Sequence, residues 1–150
     1  MNSQDKLSTK GGVSITVVHS DGSASTYRNH NLITDAGIDF LANSFGNATR
    51  LSQMAYIAVG TGTAAAANSD TALGTELLRK SAGVTHTAGT TKVTVEATFS
   101  AGEATGALTE AGILNASTGG ILFDRIVFPV INKGASDTVT FTFEITLSRG

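Results

Sequence analysis

The stretch TVTFTFEITL, residues 138–147, decides the fold. Large apolar side chains occupy its odd-numbered positions, and threonine or glutamate occupies the even-numbered ones. Successive side chains of a β-strand point to opposite faces of the sheet, so this alternation predicts a strand with one buried face. A long strand of this kind needs a second layer to cover its apolar side.

Other segments carry related patterns. Residues 13–18 and 92–99 alternate in the same way, and Asp21-Gly22 is a strong hairpin signal between the first of them and a return strand at 23–30. Residues 54–59 form a continuous apolar run, which is typical of a strand buried on both sides. Further strands are predicted at 76–81, 84–87, 108–114 and 121–130. Eight or nine strands with short turns predict an all-β fold, an antiparallel β-sandwich or jelly-roll-like domain.

One short helix is predicted near residues 35–45. Thr34-Asp35 provides an N-cap, and Gly46 provides a stop. Ile38, Leu41 and Phe45 follow at i, i+3 and i+7, so we expect this apolar stripe to pack against a sheet.

The domain organisation is simple. Residues 1–11 are polar and patternless, which predicts a flexible N-terminal arm, and residues 12–150 are expected to form a single β-sandwich domain. Within that domain, residues 61–72 form a long stretch of small residues without an apolar period, which predicts a loop. Loops longer than about 12 residues are often functional or are ordered by a partner.

Composition argues against several function classes. The chain has 150 residues, a net charge of −2 and no cysteine. The charges are evenly distributed, so no basic surface for nucleic acid is expected. No apolar run is long enough to span a membrane, and the N-terminus lacks the apolar region of a secretory signal. Charged residues make up only 15%, against about 25% in typical domains, which favours surfaces covered by other subunits.

Catalytic and cofactor patterns are weak. Residues 60–65, GTGTAA, match the dinucleotide motif G-x-G-x-x-A, but no helix is predicted after them, so we expect a glycine-rich loop. His19, His30 and His86 lack the spacing of metal ligands, and no G-x-S-x-G elbow occurs.

Charged residues give no clearer signal. Glu103 and Glu110 could form a carboxylate pair, but a chain without Trp is a poor candidate for glycoside chemistry. Arg79-Lys80 and Asp124-Arg125 fit either solvated strand ends with weak cross-strand partners or a polar rim between subunits, and the sequence does not decide between these. We expect no enzyme activity, cofactor, metal or small-molecule substrate.

Several motifs occur together in one order. They are NLITDAG at 31–37, YIAVGTGT at 56–63, DTALGTEL at 70–77 and LTEAGI at 108–113, followed by a strand with Arg125 and Phe128, a turn at Lys133 and the terminal threonine-alternating strand. This order resembles small virion proteins of tailed bacteriophages. The resemblance extends from about residue 31 to residue 148.

The resemblance implies a structural role in the virion, assembled in the bacterial host cytoplasm. Two branches share these motifs: capsid cement or decoration proteins, and the N-terminal modules of tail-collar fibre proteins, which attach a fibre to the baseplate. A fibre protein would continue into a shaft, so we expect the cement branch, with a tail-fibre or baseplate adaptor as the alternative and a carbohydrate-binding β-domain as a further one. The expected partners are the major capsid protein and copies of this chain, as a dimer or trimer.

Two segments are the expected contact regions, the N-terminal arm and the long loop, because neither has a local reason to be ordered. The expected subunit-interface residues are Leu7, Lys10, Thr61, Thr63, Ala65, Asn68, Asp70 and Leu73.

Overall fold

The computed structural model describes residues 6–149, which form ten strands and one helix. The strands are β1 (Leu7–Val18), β2 (Ala24–His30), β3 (Leu32–Ile33), β4 (Tyr56–Gly60), β5 (Glu76–Ser81), β6 (Gly83–His86), β7 (Lys92–Phe99), β8 (Gly106–Leu114), β9 (Leu122–Lys133) and β10 (Thr138–Arg149). The helix is α1 (Asp35–Gly46). The eight or nine predicted strands were too few, mainly because β3 is only two residues long and carries no alternation.

The strands form two five-stranded sheets in which the strand pairs are antiparallel. Sheet A has the order β2-β1-β10-β7-β6, and sheet B has the order β3-β9-β8-β4-β5. The predicted all-β fold with one short helix is confirmed.

The core lies between the two sheets. In β10 the residues Val139, Phe141 and Phe143 are fully buried, as the alternation predicts. The Phe141 ring contacts Phe99 of the same sheet edge-on, with ring centroids 5.9 Å apart, and Phe128 of sheet B at 6.0 Å. This one side chain therefore joins the two layers, and burial of such rings is the main stabilising contribution of the core.

The helix lies against β9 in a different orientation from the predicted one. Thr34 caps it, accepting a hydrogen bond from the Gly37 amide, as expected. Of the expected stripe, only Leu41 packs against the core, whereas Phe45 is 96% exposed and Ile38 is 47% exposed. Gly37 has no side chain and lies directly on the Phe123 backbone, so the face of the helix that carries Gly37, Phe40 and Leu41 packs inwards. Among the described residues, no helix is long and apolar enough to cross a membrane.

The first strand begins closer to the N-terminus than the sequence predicts. Residues 1–5 lie outside the described part, but β1 begins at Leu7 and pairs with β10 along its whole length, from Leu7 opposite Arg149 to Val18 opposite Thr138. The prediction of a flexible arm up to residue 11 is therefore wrong for residues 7–11. The polar composition of residues 7–11 carries no sequence pattern typical of a strand. The strand forms because β10 provides its backbone hydrogen-bond partners, and this pairing does not require apolar side chains.

Candidate functional site: a buried anchor and the loop that it shapes

Glu110 of β8 lies at the centre of the most elaborate polar cluster in the described structure, and it is completely buried. Its Oε1 accepts hydrogen bonds from the backbone amides of Gly62, at 2.9 Å, and Thr75, at 2.7 Å. Its Oε2 accepts one from the Gly74 amide at 2.8 Å. A single carboxylate therefore holds both ends of the segment 61–75, which we call the anchored loop.

Arg125 of β9 completes this cluster from the neighbouring strand. Its Nε and Nη2 lie 3.0 and 2.9 Å from Glu110 Oε2. On its other side, Nη1 donates to Asp70 Oδ2 at 2.7 Å and Nη2 donates to the Ala64 carbonyl at 3.0 Å. The side chain is 3% exposed, so its charge is balanced almost entirely by the two carboxylates and the loop carbonyl. Such charge-assisted hydrogen bonds are stronger than neutral ones.

Glycines make this close approach possible. A Cβ atom at Gly62 would collide with the Glu110 carboxylate, and one at Gly60 would collide with the Thr75 carbonyl. Thr61 donates its backbone N–H to that same Thr75 carbonyl at 2.9 Å, which closes the neck of the loop. The glycines at 60 and 62 are therefore needed for packing against the anchor.

The electrostatics of the cluster favour its charged form. Burial tends to raise the pKa of Glu110, but the amides of Thr75, Gly74 and Gly62 together with Arg125 outweigh it, so the pKa lies below its usual value. The pKa of Asp70 is lowered first by the Ala67 amide and then by Arg125. The pKa of Arg125 is raised by the two carboxylates in spite of its burial. The ion pairs are therefore fully formed at neutral pH.

The anchor turns the loop into a shaped surface. Thr61, Thr63, Ala65 and Asn68 are exposed, whereas Asp70 is half-buried against Arg125. Leu73 is 8% exposed and belongs to a small apolar cluster with Ala58, Leu114 and Leu122. Of the expected interface residues in the loop, the first four can meet a partner directly, and the other two hold the loop in place.

The remaining predicted interface residues lie on β1. Leu7 is 73% exposed at the start of the strand. Lys10 lines a depression of about 690 Å³ together with Asn68 of the anchored loop, so the structure brings these two predicted residues to one place. An adjoining depression of about 420 Å³ is lined by Thr63 and Ala65. His30 also lines both depressions, although it was not among the interface residues expected from the sequence.

Asp124 is a second buried acid, next to Arg125 in sequence but outside the anchor. It is fully buried on β9 and accepts a hydrogen bond from the Asn31 side-chain amide. Burial is the main influence and raises its pKa to about 8, while the Asn31 amide partly opposes this. Asp124 is therefore largely a neutral carboxylic acid at pH 7, unlike Glu110.

The weak catalytic and cofactor patterns occupy other roles. The glycine-rich stretch 60–65 runs into the loop without a helix, and its Gly62 amide donates to Glu110. Glu103 pairs with Lys80 at 2.6 Å, not with Glu110. His19 lies 3.1 Å from Asp137. No group of three or more potential metal ligands occurs among the described residues.

Sequence reasoning did not identify Glu110 and Arg125 as partners. Arg125 was expected either to lie at a solvated strand end with a weak cross-strand partner or to form a rim contact between subunits. It does have a cross-strand partner, Glu110, but its near-complete burial inside one chain contradicts both the solvated strand end and the rim contact. A signal was available: each is a charged residue inside an otherwise apolar strand. Since an unpaired charge is costly to bury, two such residues on strands predicted to be close should have been paired.

Three of the four sequence motifs contribute residues to this anchor. Gly62, Asp70 with Gly74 and Thr75, and Glu110 come from three of the motifs, and Arg125 comes from the strand that follows them. The fourth motif contributes Asn31, which contacts the adjacent Asp124. Comparison with protein-family models, with curated proteins and with solved structures gives no match. A function must therefore be argued from the geometry and from the motifs.

Proposed function

We propose that this chain is a structural protein of a tailed-phage virion, a cement protein that binds across neighbouring capsid subunits and strengthens the assembled shell. The observation that carries the proposal is the convergence of the shared motifs on the Glu110–Arg125 anchor. The motif residues form ion pairs and hydrogen bonds with one another and with the loop backbone. Their role is to give the loop a shape, which suits a binding protein better than an enzyme.

An ordered loop binds a partner more tightly than a flexible loop of the same sequence. Ordering a free backbone costs about 1–2 kcal/mol per residue. In an anchored loop this cost is part of the free energy of folding, so it does not reduce the free energy of binding. Thr63, Ala65 and Asn68 then present exposed, uncharged side chains that can contact another protein. This replaces the expectation that the partner itself orders the loop.

The helix offers a second contact. Phe45 and Ile38 lie seven residues apart, so they share one face of α1, and both are exposed. An aromatic side chain that is 96% exposed gains free energy when a partner covers it. We propose that the helix face is covered in the assembled shell.

The cement mechanism follows from mass action. A protein that binds the assembled shell and not its separate subunits stabilises the shell by the free energy of that binding. Many copies on one shell add their effects, so each contact can be weak.

The experiment uses shells assembled without this chain. The purified chain is added, and its cosedimentation with the shells and the temperature at which the shells open are measured. We expect binding and a higher opening temperature. Ala65→Arg, on the exposed loop surface, should weaken both effects, whereas Ala88→Arg, in the exposed β6–β7 turn, should leave them unchanged.

Two outcomes would contradict the proposal. Binding to purified tails and not to shells would favour the tail-fibre or baseplate adaptor. Equal loss with Ala65→Arg and Ala88→Arg would show that the anchored loop is not the contact, even if the chain binds shells.

A further inference from the structure

We propose that two copies of this chain pair through the outer edge of β2, as antiparallel strands related by a twofold axis at Tyr27. β2 is the first strand of sheet A and pairs with β1 on one side only. Pairing of two copies would make one continuous sheet across the dimer. The proposal does not depend on the virion role, because it concerns the free chain in solution.

The burial of β2 sets it apart from the other strands. Each of its seven residues is exposed, whereas each of the other described strands has at least one residue that is partly or fully buried. A strand that adds no core area contributes little to the stability of a monomer, and isolated two-stranded ribbons are only marginally stable. A second copy on the open edge would supply the missing neighbour.

The backbone groups on the open side can be identified. Across the hairpin, the His19 amide donates to the Ser23 carbonyl at 2.9 Å. Since backbone groups alternate along an antiparallel strand, those of Tyr27 point towards β1, and those of Ala24, Thr26 and Arg28 point outwards. The His30 amide is also on the outer side, where it donates to the Asn29 side chain at 2.8 Å.

Other strands at the sheet edges carry features that discourage pairing, and β2 lacks most of them. β5 has Arg79 and Lys80, β6 has only four residues, and β9, where β3 does not cover it, contains Pro129. Charges, short length and proline are the common protections of sheet edges. β2 is seven residues long and contains one arginine, Arg28, and one histidine, His30.

The sequence of β2 is compatible with its own pairing in this register. With Tyr27 on the axis, Arg28 lies opposite Thr26 of the partner subunit, and His30 lies opposite Ala24 of the partner subunit. No like charges lie directly opposite each other, so this register is compatible with a second copy as the occupant. Tyr27, which is 50% exposed, would face its own copy in a non-hydrogen-bonded pair, where cross-strand side chains are closest.

The first test is a disulfide cross-link. The chain has no cysteine, so Tyr27→Cys introduces a single thiol. In a non-hydrogen-bonded pair the Cα atoms lie about 4.5 Å apart, within the disulfide range of about 4.4–6.8 Å. Under mild oxidation we expect the full chain with Tyr27→Cys to form a covalent dimer. Ala88→Cys, an equally accessible thiol in the β6–β7 turn, should not.

The second test reads the register by sedimentation equilibrium. Thr26→Glu places a carboxylate opposite Arg28 of the partner subunit twice in the dimer, and Thr26→Lys places a like charge there. Both variants lose the same exposed hydrogen bond to Thr16. We expect Thr26→Glu to tighten and Thr26→Lys to weaken the dimer, each by about 2- to 30-fold in Kd.

Three results would overturn the proposal. They are a parent chain that stays monomeric at millimolar concentration, equal cross-linking of Tyr27→Cys and Ala88→Cys, and equal effects of the two Thr26 variants. Dimers without shell binding would leave this inference intact while contradicting the proposed function, so the two can be tested separately.

Discussion

Glu110 and Arg125 lie on adjacent antiparallel strands and form a buried ion pair, with Glu110 Oε2 2.9 Å from Arg125 Nη2. Each partner also holds part of the anchored loop: the carboxylate accepts its amide hydrogens, and the guanidinium donates to its carbonyl and to Asp70. The loop is therefore ordered by the interior of its own domain. This relationship leads to the first two predictions.

Glu110→Gln should destabilise the fold and loosen the loop. The substitution keeps the shape of the side chain but leaves Arg125 without its most buried partner, and it turns an amide group towards backbone amides. Breaking a buried ion pair in this way costs about 3–5 kcal/mol. The measurement is urea unfolding, with hydrogen exchange of residues 61–75 as a local readout.

The matched control for this prediction is Glu103→Gln. Glu103 pairs with Lys80, but both side chains are more than one third exposed. An exposed pair is screened by solvent and contributes little to stability, so this variant should stay close to the parent chain. Equal destabilisation by the two variants, or unchanged exchange in the loop of Glu110→Gln, would contradict the anchor.

Acid should weaken the anchor specifically. The folded pKa of Glu110 is below its value of 4.5 in an unfolded chain, so the unfolded state binds more protons, and stability rises with pH in this range. The contribution is present above pH 4.5 and is lost as pH falls through the folded pKa. Between about pH 5 and about pH 3, the parent chain should therefore lose more free energy of unfolding than Glu110→Gln does. Parallel curves for the two chains would refute this.

Asp124→Asn should show the opposite pH dependence. The pKa of Asp124 is about 8 in the folded chain and 3.8 when solvated, so the unfolded state releases this proton first. The parent chain then loses stability as pH rises between these values, by up to about 1.4 kcal/mol per pH unit. Asn cannot titrate, so the free energy of unfolding of the variant, relative to that of the parent chain, should increase with pH up to about 8 and then level off. Asp21→Asn, at an exposed hairpin, is the control, and a similar growing advantage there would contradict this reading.

Gly37→Ala should disrupt the helix contact with β9. A Cβ at this position would collide with the Phe123 carbonyl, so the helix must move away. We expect a loss of about 1–3 kcal/mol, as for overpacking in a core. Gly46→Ala, at the other end of the same helix, meets nothing within 4 Å and should be neutral or slightly stabilising. Thermal unfolding of both variants tests this prediction. An unchanged unfolding temperature for Gly37→Ala would contradict the close contact between the helix and β9.

The strands were predictable where one face is buried and the other is solvated. β7 and β10 show this alternation almost without exception, and the structure buries the expected faces. β3 and the start of β1 were not predictable in this way. They are held by backbone pairing to β9 and β10, and pairing leaves no pattern in the side chains.

The orientation of the helix and the identity of the anchor needed tertiary information. Ile38, Leu41 and Phe45 form a regular apolar stripe, but the close approach at Gly37 leaves only Leu41 of the three packed against the core. The loop 61–72 was correctly predicted as a loop. Its internal order depends on Glu110, which is 35 to 48 residues away in sequence from the amides that it holds, and a local pattern carries no record of such a contact.

The most direct measurement for the proposed function is the amount of this chain in purified virions, quantified against the major capsid protein and against a tail protein. A cement protein should be present in a fixed, high ratio to the major capsid protein, and it should remain with the shells when tails are removed. A few copies per particle that leave with the tails, or no copies at all, would contradict the account.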